Sequence, residues 1–349
     1  MNDFITISRN DYRFLDYLKG TFARDQRAIP TESLNVKGKK DYVVFKIVPV
    51  TSVPKPNWIE FLWKTLRVPS LTLSMGPLLT MLTYISVSYS NFDRTMAWLC
   101  LLPVLLFHLA MNLINDYYDH LKGIDGAGAV KSIQLGWVRG IDLYRCGLFL
   151  LGVGVAIGVY ILLVSPQQLF ILSLLSGFGV LQFSSNRFGL KYHGFGELTV
   201  FLLSGPLLCI GYSWAVMGKI DGVSLLVGLF LGSLSLFVIH INNLKEILTA
   251  SHAGVVNLST IFGFDKGKKI GTTILLVATS VWWFLLFSTN KSFLAYGFWF
   301  IGVLILKIMW FKMYTSNSSV ASSLRELVAN RFSFHIILVG LLCLSLICP

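Results

Sequence analysis

The sequence predicts an all-α integral membrane protein with nine transmembrane helices, and two observations support that fold class. The chain of 349 residues is 54% hydrophobic and only 13% charged, whereas a soluble domain usually carries about 25% charged residues. It also contains repeated apolar runs of the roughly 20 residues that a helix needs to cross bilayer hydrocarbon. The predicted spans lie near 71–89, 96–117, 143–164, 168–186, 197–217, 222–243, 270–289, 292–311 and 333–348.

The positive charges indicate the orientation of these spans. The loops at 118–142, 187–196, 244–269 and 312–332 contain twelve Lys and Arg residues, against three in the other loops, and the first 70 residues add twelve more. Because Lys and Arg are retained in the cytoplasm, we expect a multi-pass protein of the cell (inner) membrane with a cytoplasmic N-terminus and an external C-terminus. The net charge of +12 follows loop parity, which argues against a nucleic-acid partner.

Residues 1–57 differ from the rest and are predicted to form a cytoplasmic extension, followed by a transmembrane domain over 58–349. They mix charged and aromatic side chains and show no signal-peptide pattern. The stretch DYVVFKIVPV predicts a short strand. The extension is interpreted either as a small soluble or membrane-surface cap, or as a partner-binding segment or lid. The five cysteines show neither metal-ligand nor disulfide spacing.

An acid-rich stretch, NLINDYYDHLKGID, ends the second predicted span. Its polar residues recur at i, i+3, i+4 and i+7, which places them on one helical face. These residues are Asn112, Asn115, Asp116 and Asp119, with Asp125 following a glycine break. Carboxylates at the edge of a membrane span are costly and usually functional, and a few hard oxygen ligands suit a Mg²⁺ ion that also binds phosphate. The stretch predicts a Mg²⁺–phosphate site, the alternative being a hydrated helix end paired with loop lysines.

A second polar cluster, HINNLKEILTASHAG, closes the span at 222–243. Asn242 and Glu246 are one turn apart, with Asn243 beside them, which repeats the amide-then-acid pairing of the first cluster. His240 is more typical of a polar cavity residue than of a metal ligand. This cluster predicts a second polar site at the cytoplasmic end of a span.

The stretch NLINDYYDHLKGID resembles the first Asp-rich motif of the UbiA superfamily of intramembrane prenyltransferases. INNLKEILTASHAGVVNLSTIFG is similar to the second motif region of that superfamily, and LRVPSLTLSMGP, IQLGWV and LKYHGFGELTVFLLSGP resemble further stretches in the same order. The resemblance covers about 65–270 by these motifs and 271–349 by hydropathy. It is closest to the quinone-type branch, the 1,4-dihydroxy-2-naphthoate (menaquinone-type) prenyltransferases.

This resemblance implies a nine-helix bundle around a central cavity that opens sideways to lipid. It also implies Mg²⁺-dependent transfer of a polyprenyl group from a prenyl diphosphate to an aromatic acceptor within the bilayer. The candidate catalytic residues are Asn112, Asp116, Asp119, Asn243 and Glu246, and the candidate metal ligands are Asp116, Asp119, Asp125 and Glu246. The candidate substrate-binding residues are Lys191, Arg67, Arg139, Asn242 and Glu197.

Three of these substrate-binding candidates have a simpler explanation. Arg67 and Arg139 are weaker candidates than Lys191, since each is also explained as a positive-inside residue. Glu197 is explained equally well as an acid that the dipole favours at a helix N-terminus. The sequence leaves both explanations open for each residue.

The second motif departs from the family pattern, which normally carries two aspartates four residues apart. Those positions hold Glu246 and Ala250 here. Three interpretations follow: the second metal site is weaker, with His252, Asn243 or Glu197 compensating; the enzyme uses an unusual donor or acceptor; or the transferase activity has been lost.

Three function classes therefore stay open at the level of the sequence. The first is a prenyltransferase for a quinone precursor. The second is another reaction on the same scaffold, either terpene cyclisation or transfer to a non-aromatic acceptor. The third is a non-catalytic lipid or quinone binder or a small-solute transporter. Transporters usually place ionisable groups near the bilayer midplane, whereas these lie at the ends of spans, which favours the enzyme.

Overall fold

The computed structural model describes residues 3–31, 42–122, 131–184 and 188–349. Three strands lie near the N-terminus: β1 (Asp3–Ser8), β2 (Gln26–Pro30) and β3 (Tyr42–Pro49). The helices found in the described ranges are α1 (Phe14–Lys19), α2 (Trp58–Thr65), α3 (Thr72–Ser88), α4 (Arg94–Leu99), α5 (Leu101–Lys122), α6 (Gly140–Val164), α7 (Gln168–Phe183), α8 (Gly196–Leu203), α9 (Pro206–Met217), α10 (Gly222–Lys245), α11 (Ile247–His252), α12 (Leu258–Ser288), α13 (Phe293–Tyr314) and α14 (Ser322–Ile347).

Among the described residues, eight helical segments are long and apolar enough to cross a membrane. They are Val68–Ser88, Arg94–Lys122, Gly140–Val164, Gly196–Met217, Gly222–Lys245, Leu258–Ser288, Phe293–Tyr314 and Ser322–Ile347. The other predicted span, 168–186, corresponds to α7, which has 16 residues. At 1.5 Å per residue α7 extends about 24 Å, less than the roughly 30 Å of bilayer hydrocarbon. The predicted all-α membrane fold class is confirmed, and α7 is shorter than each of the eight candidate spans.

The chain divides into two compact units. Unit 1 consists of Met1–Val68, Phe107–Gly152 and Leu248–Val255. Unit 2 consists of Pro69–Leu106, Val153–Ile247 and Val256–Pro349. Unit 1 therefore contains the N-terminal extension and the acid-rich end of α5, whereas unit 2 contains most of the apolar helices.

An antiparallel sheet of order β1–β3–β2 forms within unit 1. Residues along β3 alternate in burial, with Val43, Phe45 and Ile47 buried, as expected for a strand that packs one face on a core. These side chains form a hydrophobic cluster with Ile7 and Leu18. The strand predicted in DYVVFKIVPV is confirmed, whereas β1 and β2 are elements that the sequence pattern did not predict.

The extension packs on the C-terminal end of α5. Leu121 of α5 packs against the core of the sheet. The neighbouring His120 is 2% exposed, and its Nε2 lies 3.0 Å from the carbonyl oxygen of Leu18. Because both residues follow Asp119 directly, these contacts hold the end of α5 that carries the acid-rich motif.

In unit 2, α10 packs against α3, α8, α9, α12 and α14. The close approach of α10 to the junction between α8 and α9 depends on Gly205, Gly228 and Gly232. A Cβ at any of these positions would collide with the backbone of a neighbouring segment. Such small-residue contacts are typical of helices packed in membranes. Pro206 begins α9 just after α8 ends, so the chain breaks into two helices at Gly205-Pro206. By contrast, α3 runs continuously through Pro77.

Candidate active site

The polar residues of the first motif lie on α5 and are buried. Asn112, Asn115, Asp116 and Asp119 are 9%, 7%, 5% and 3% exposed. Asn115 Nδ2 donates to Asp119 Oδ2 at 3.1 Å. Because burial and mutual repulsion both disfavour two neighbouring carboxylate charges, this end of α5 requires nearby positive charge. The fifth predicted residue of the motif, Asp125, lies outside the described residues.

Two cationic side chains meet these carboxylates. Lys131 Nζ lies 3.1 Å from Asp116 Oδ1 and 3.5 Å from Asp119 Oδ2. Arg67 Nη1 lies 3.3 Å from the same oxygen of Asp116. The side chains of Lys131 and Arg67 are 25% and 35% exposed, against 7% for Asp116. An anionic ligand can therefore reach cations that are already held beside two buried acids.

Lys131 is a residue that the sequence-based candidates missed. It was counted only among the loop cations, although it is the first cation after Asp125 in the loop that follows the motif. That position was the available signal. Spacing alone does not select one loop cation over another, because the contact with Asp116 depends on how the loop folds back.

The structure separates the two arginine candidates. Arg67 lies at the first motif, whereas Arg139 forms two hydrogen bonds to Asp142, from Nε to Oδ2 at 2.6 Å and from Nη2 to Oδ1 at 2.7 Å. Hydrogen bonding to Asp142 raises the pKa of Arg139 above its ordinary value. The stem of Arg139 packs on Gly20, where a Cβ would lie 3.0 Å from Arg139 Cβ. A role for Arg139 in substrate binding stays a prediction, and this geometry favours a structural one.

The segment between α2 and α3 holds the motif from a second direction. Asn112 Nδ2 donates to the carbonyl oxygen of Leu66 at 2.9 Å. The hydroxyl oxygens of Thr65 and Ser132 are 2.6 Å apart. Arg67 has a φ of +54°, a left-handed conformation that non-glycine residues adopt rarely and at a cost. Three consecutive residues therefore contact the motif or the loop that supplies Lys131.

In unit 2, the second region comprises the second motif segment and the residues that contact it. Its buried acid is Glu197, near the start of α8. Glu197 is 2% exposed, and its Oε1 accepts hydrogen bonds from Asn243 Nδ2 at 2.7 Å and from the backbone nitrogen of Leu258 at 3.2 Å. Within the described residues, Glu197 Oε2 is buried without a hydrogen-bond partner. This carboxylate joins α8, α10 and the start of α12, and its second oxygen retains unused acceptor capacity.

Glu246, the sequence-predicted metal ligand of this region, has a more exposed side chain. It is 44% exposed, accepts a hydrogen bond from Asn242 Nδ2 at 2.9 Å, and lies 3.9 Å from Lys245 Nζ. The amide-then-acid pairing of Asn242 with Glu246 is therefore present in the structure. Ala250, at the position of the expected aspartate, is 5% exposed.

Lys191 lies in a loop that reaches the second motif segment within unit 2. Tyr192 O accepts a hydrogen bond from the backbone nitrogen of Val256 at 3.0 Å. Gly196 packs so closely on this loop that a Cβ would lie 3.0 Å from Lys191 Cα. The Nζ of Lys191 is 5.7 Å from the ring centre of Tyr192. Lys191 is therefore positioned beside the second motif segment, where its role in binding substrate stays a prediction.

The two histidines of the second region differ in burial. His240 is fully buried, and its Nε2 lies 2.8 Å from the carbonyl oxygen of Gly267, a contact between α10 and α12. The sequence favoured a polar cavity residue over a metal ligand at this position, and in the structure His240 packs between two helices. His252 is exposed at the end of α11. Its compensating role at a metal site stays a prediction.

The donors at the first motif fit Mg²⁺ in number and type. Within the described residues, no three His, Cys, Asp or Glu side chains form a group that could hold a metal ion. Mg²⁺ is commonly bound by one or two carboxylates and completes its shell with waters and substrate phosphates. Asp116 and Asp119 are two such carboxylates, held by a shared contact with Lys131. The site therefore suits a metal that arrives with a phosphate ligand.

Comparison with known sequences identifies the family. The sequence model of the UbiA prenyltransferase family matches residues 75–343. The chain belongs to the UbiA prenyltransferase family. It is a multi-pass membrane prenyltransferase, as the resemblance of its first motif implied.

Two curated relatives illustrate the range of the family. The chain is 28% identical over 232 residues to the 1,4-dihydroxy-2-naphthoate octaprenyltransferase of Haemophilus influenzae, covering 63% of this chain and 75% of that protein. It is 30% identical over 220 residues to the human UbiA prenyltransferase domain-containing protein 1, covering 61% of this chain and 64% of that protein. Bacterial and animal members of the family are thus similarly distant from this chain.

Solved structures share the fold of this chain at low sequence identity. A digeranylgeranylglyceryl phosphate synthase superposes with a TM-score of 0.59 at 14% identity, covering 83% of this chain and 98% of that chain. A UbiA homologue from Archaeoglobus fulgidus, bound to DMAPP and Mg²⁺, superposes with a TM-score of 0.54 at 12% identity, covering 80% and 98%. At this level of identity the likeness establishes the fold.

Proposed function

We propose that this prenyltransferase transfers a polyprenyl group from a prenyl diphosphate to an aromatic acceptor of the quinone-precursor type, with Mg²⁺ as cofactor. The observation that carries the proposal is the pairing of two buried carboxylates, Asp116 and Asp119, with Lys131 and Arg67 at the end of a membrane helix. The naphthoate octaprenyltransferase relative supports an aromatic acceptor. The homologue bound to DMAPP and Mg²⁺ supports the donor and the metal.

The first motif binds the diphosphate group of the donor in this proposal. Asp116 and Asp119 would hold the metal, which would supply positive charge to stabilise the leaving diphosphate. Arg67 and Lys131 exchange part of their contact with Asp116 for diphosphate oxygens, so the leaving group is neutralised by cations fixed in advance. Asn115 orients the carboxylate of Asp119 through its hydrogen bond. Lys191, in unit 2, stays a predicted substrate-binding residue.

The reaction breaks the bond between the allylic carbon and the diphosphate oxygen, and the electron pair leaves with the diphosphate. A carbon of the aromatic acceptor then forms the new bond to the allylic cation and passes its proton to the released diphosphate. The apolar helices exclude water, which would otherwise quench the cation. No protein side chain forms a covalent bond to the substrates in these reaction steps.

The second motif region contributes further oxygen donors in this proposal. Glu197, whose Oε2 is buried without a hydrogen-bond partner among the described residues, compensates for the aspartate that Ala250 replaces. Asn243 fixes Glu197 through its hydrogen bond at 2.7 Å. Glu246 and Asn242 act as a more exposed pair that assists at high metal concentration. This is the interpretation of a weakened second metal site that retains activity.

We also propose the orientation that the loop charges predict, in the inner membrane with the N-terminus in the cytoplasm. Reporter fusions at residues 1 and 349 should then report opposite sides of the membrane. This result requires α7 to cross the bilayer in spite of its 16 residues. Both reporters on one side would show that α7 does not cross.

The test of the proposed activity uses purified protein in proteoliposomes. The protein is incubated with Mg²⁺ and prenyl diphosphates of increasing length, together with naphthoate or benzoate acceptors or a non-aromatic alcohol, and products are identified by mass spectrometry. A prenylated aromatic product that disappears with EDTA supports the proposal. Prenylation of the alcohol alone contradicts the aromatic acceptor, and a cyclised terpene formed without acceptor contradicts group transfer. No turnover of any donor supports the non-catalytic lipid binder.

A further inference from the structure

The short helix α2 exposes an unusual amount of apolar surface. Trp58, Ile59, Leu62 and Trp63 are 72%, 58%, 40% and 53% exposed. At about 100° per residue, these four side chains occupy a continuous arc of about 140° around the helix. Four large exposed apolar residues in an eight-residue helix are more than the scattered single residues that ordinary surfaces carry.

The rest of α2 divides into two further faces. Glu60 and Lys64 form an exposed ion pair at 2.8 Å on the next arc. On the remaining arc, the ring of Phe61 lies 6.4 Å from that of Trp137, and the hydroxyl of Thr65 contacts Ser132. One face is therefore packed on the rest of unit 1, one is charged and one is apolar and exposed. That combination is typical of a helix that lies in a membrane interface.

Chain connectivity keeps α2 close to the membrane. The first membrane span begins at Val68, three residues after Thr65, and an extended chain of that length reaches only about 10 Å. Trp residues are enriched at the membrane–water interface, and two of the four exposed residues are tryptophans. We infer that α2 lies in the plane of the membrane interface, with Trp58, Ile59, Leu62 and Trp63 inserted at the boundary between headgroups and acyl chains.

This location has a consequence for the first motif, which rests on the proposed function. The residues that follow the apolar face are Thr65, Leu66 and Arg67, and these contact Ser132, Asn112 and Asp116, respectively. Arg67 holds a left-handed backbone conformation at φ +54°, which persists only where surrounding contacts impose it. The bilayer surface therefore acts through α2 to fix Arg67 beside Asp116, so the apolar face consists of positioning residues for the diphosphate site.

Cysteine labelling of the full-length protein in proteoliposomes tests the location, independently of any activity. Ile59→Cys and Leu62→Cys place a thiol on the apolar face, and Glu60→Cys and Lys64→Cys place one on the charged face of the same helix. A membrane-impermeant maleimide is used, and the labelling of the five native cysteines in the wild type is subtracted. We expect the first pair to react at least about tenfold more slowly than the second.

Equal labelling rates at all four positions would place the whole helix in water and overturn the inference. Protection that disappears as the lipid-to-protein ratio is raised would also overturn it, because a second copy of the chain would then be the covering surface. Neither result depends on turnover. A protein that shows protection but no transferase activity would contradict only the proposed function.

Donor binding tests the positioning role. Ile59→Glu should weaken Mg²⁺-dependent binding of radiolabelled geranylgeranyl diphosphate about tenfold in proteoliposomes, whereas Ile59→Leu should bind like the wild type. Lys64→Gln, on the charged face, is the matched control and should stay within twofold. Trp63→Gln provides a milder variant if Ile59→Glu fails to fold, as judged by gel filtration. Unchanged donor binding in a folded Ile59→Glu or Trp63→Gln protein would overturn the positioning role.

Discussion

The two motif regions hold their carboxylates in different ways. In the first region, Asp116 and Asp119 are buried and both contact Lys131. In the second region, the motif acid Glu246 keeps a 44% exposed side chain beside Lys245. The buried acid there is Glu197, and its hydrogen-bond donors are neutral, the amide of Asn243 and a backbone nitrogen.

This difference indicates a division of roles between the regions. In the first region, the cations that neutralise the acids are already present. In the proposed function, an anionic diphosphate can pair with these cations when a metal ion binds the acids. In the second region, Glu197 Oε2 is buried without a hydrogen-bond partner among the described residues, and burying an unpaired polar atom is costly. A cation would relieve that cost. We expect the first region to govern donor binding and turnover, and the second to govern the demand for metal.

Loss of a first-motif charge should have the largest effect. Asp116→Asn keeps the size of the side chain but removes a charged metal ligand. We expect kcat/KM to fall by at least about 100-fold, since removing one group that stabilises a developing charge commonly costs 10²–10³. Turnover of the prenyl diphosphate across a Mg²⁺ series measures it. Asp142→Asn is the matched control, because Asp142 is an acid of unit 1 that pairs with Arg139. Wild-type turnover in Asp116→Asn would mean that the metal assignment is wrong.

The next largest effect is expected at Lys131, whose substitution should strengthen metal binding and weaken donor binding. Lys131→Gln removes a cation that competes with the metal for Asp116, so Mn²⁺, used as a spectroscopic probe in the absence of donor, should bind more tightly. The same change removes a diphosphate contact, so KM for the donor should rise about tenfold, equivalent to about 1.4 kcal/mol. Lys64→Gln serves as the control, since Lys64 pairs with Glu60. If metal and donor binding both weaken, Lys131 does not compete with the metal.

In the second region, two substitutions of Glu197 should distinguish the role of its charge from the role of its hydrogen bonds. Glu197→Gln retains an acceptor for Asn243 and Leu258 but lacks the charge, so we expect the Mg²⁺ concentration for half-maximal activity to rise about fivefold, roughly 1 kcal/mol. Glu197→Ala also leaves both donors unsatisfied, at roughly 1–3 kcal/mol each, and should lower thermal stability in addition. Thermal unfolding in detergent, measured beside activity, distinguishes the two. An unchanged metal demand in Glu197→Gln would restrict Glu197 to a structural role.

The sequence predicted the helices better than their ends. The span predicted at 270–289 belongs to α12, which starts at Leu258. The stretch before 270 contains Asp265, Lys266, Lys268 and Lys269, which a search for bilayer hydrocarbon excludes. A local signal marks the start of the first turn of α12, because Asn257 and Thr260 form a reciprocal capping box. Gly263, at φ +80° and ψ 173°, interrupts the helix between this cap and the predicted span. The capped turn and the membrane helix are therefore two segments joined at a kink, which hydropathy does not detect.

The candidate site could be predicted where its residues lie on one helix. The spacing of Asn112, Asp116 and Asp119 was sufficient to predict that they cluster, because helical periodicity places them on one face. The pairings of Lys131 with Asp116 and of Asn243 with Glu197 join residues that are distant in sequence. Such contacts depend on tertiary packing, which no local pattern encodes.

A smaller effect is expected at the altered second motif. Ala250→Asp adds a carboxylate one turn after Glu246, and Glu246→Ala removes the exposed one. We expect the first change to lower the half-maximal Mg²⁺ concentration and the second to raise it, each by about threefold, which is about 0.6 kcal/mol. The difference between the two variants is the measured quantity. If Glu246→Ala leaves activity and metal demand unchanged, Glu246 is only a helix-end charge near Lys245.

The smallest effect is expected at Arg139, which the sequence could not distinguish from Arg67. Both were candidates for the diphosphate, but Arg139 is hydrogen-bonded to Asp142 while Arg67 contacts Asp116. The Arg139–Asp142 pair is partly exposed, and such pairs contribute about 0.2–1 kcal/mol to stability after solvent screening. Arg139→Gln should therefore cost no more than about 1 kcal/mol in unfolding free energy and leave the donor KM within about twofold. Arg67→Gln, measured in parallel, should raise the donor KM about tenfold through loss of a charged contact. A rise in donor KM for Arg139→Gln that matches that for Arg67→Gln would return Arg139 to the diphosphate site, and would mean that its pairing with Asp142 is exchanged for substrate during turnover.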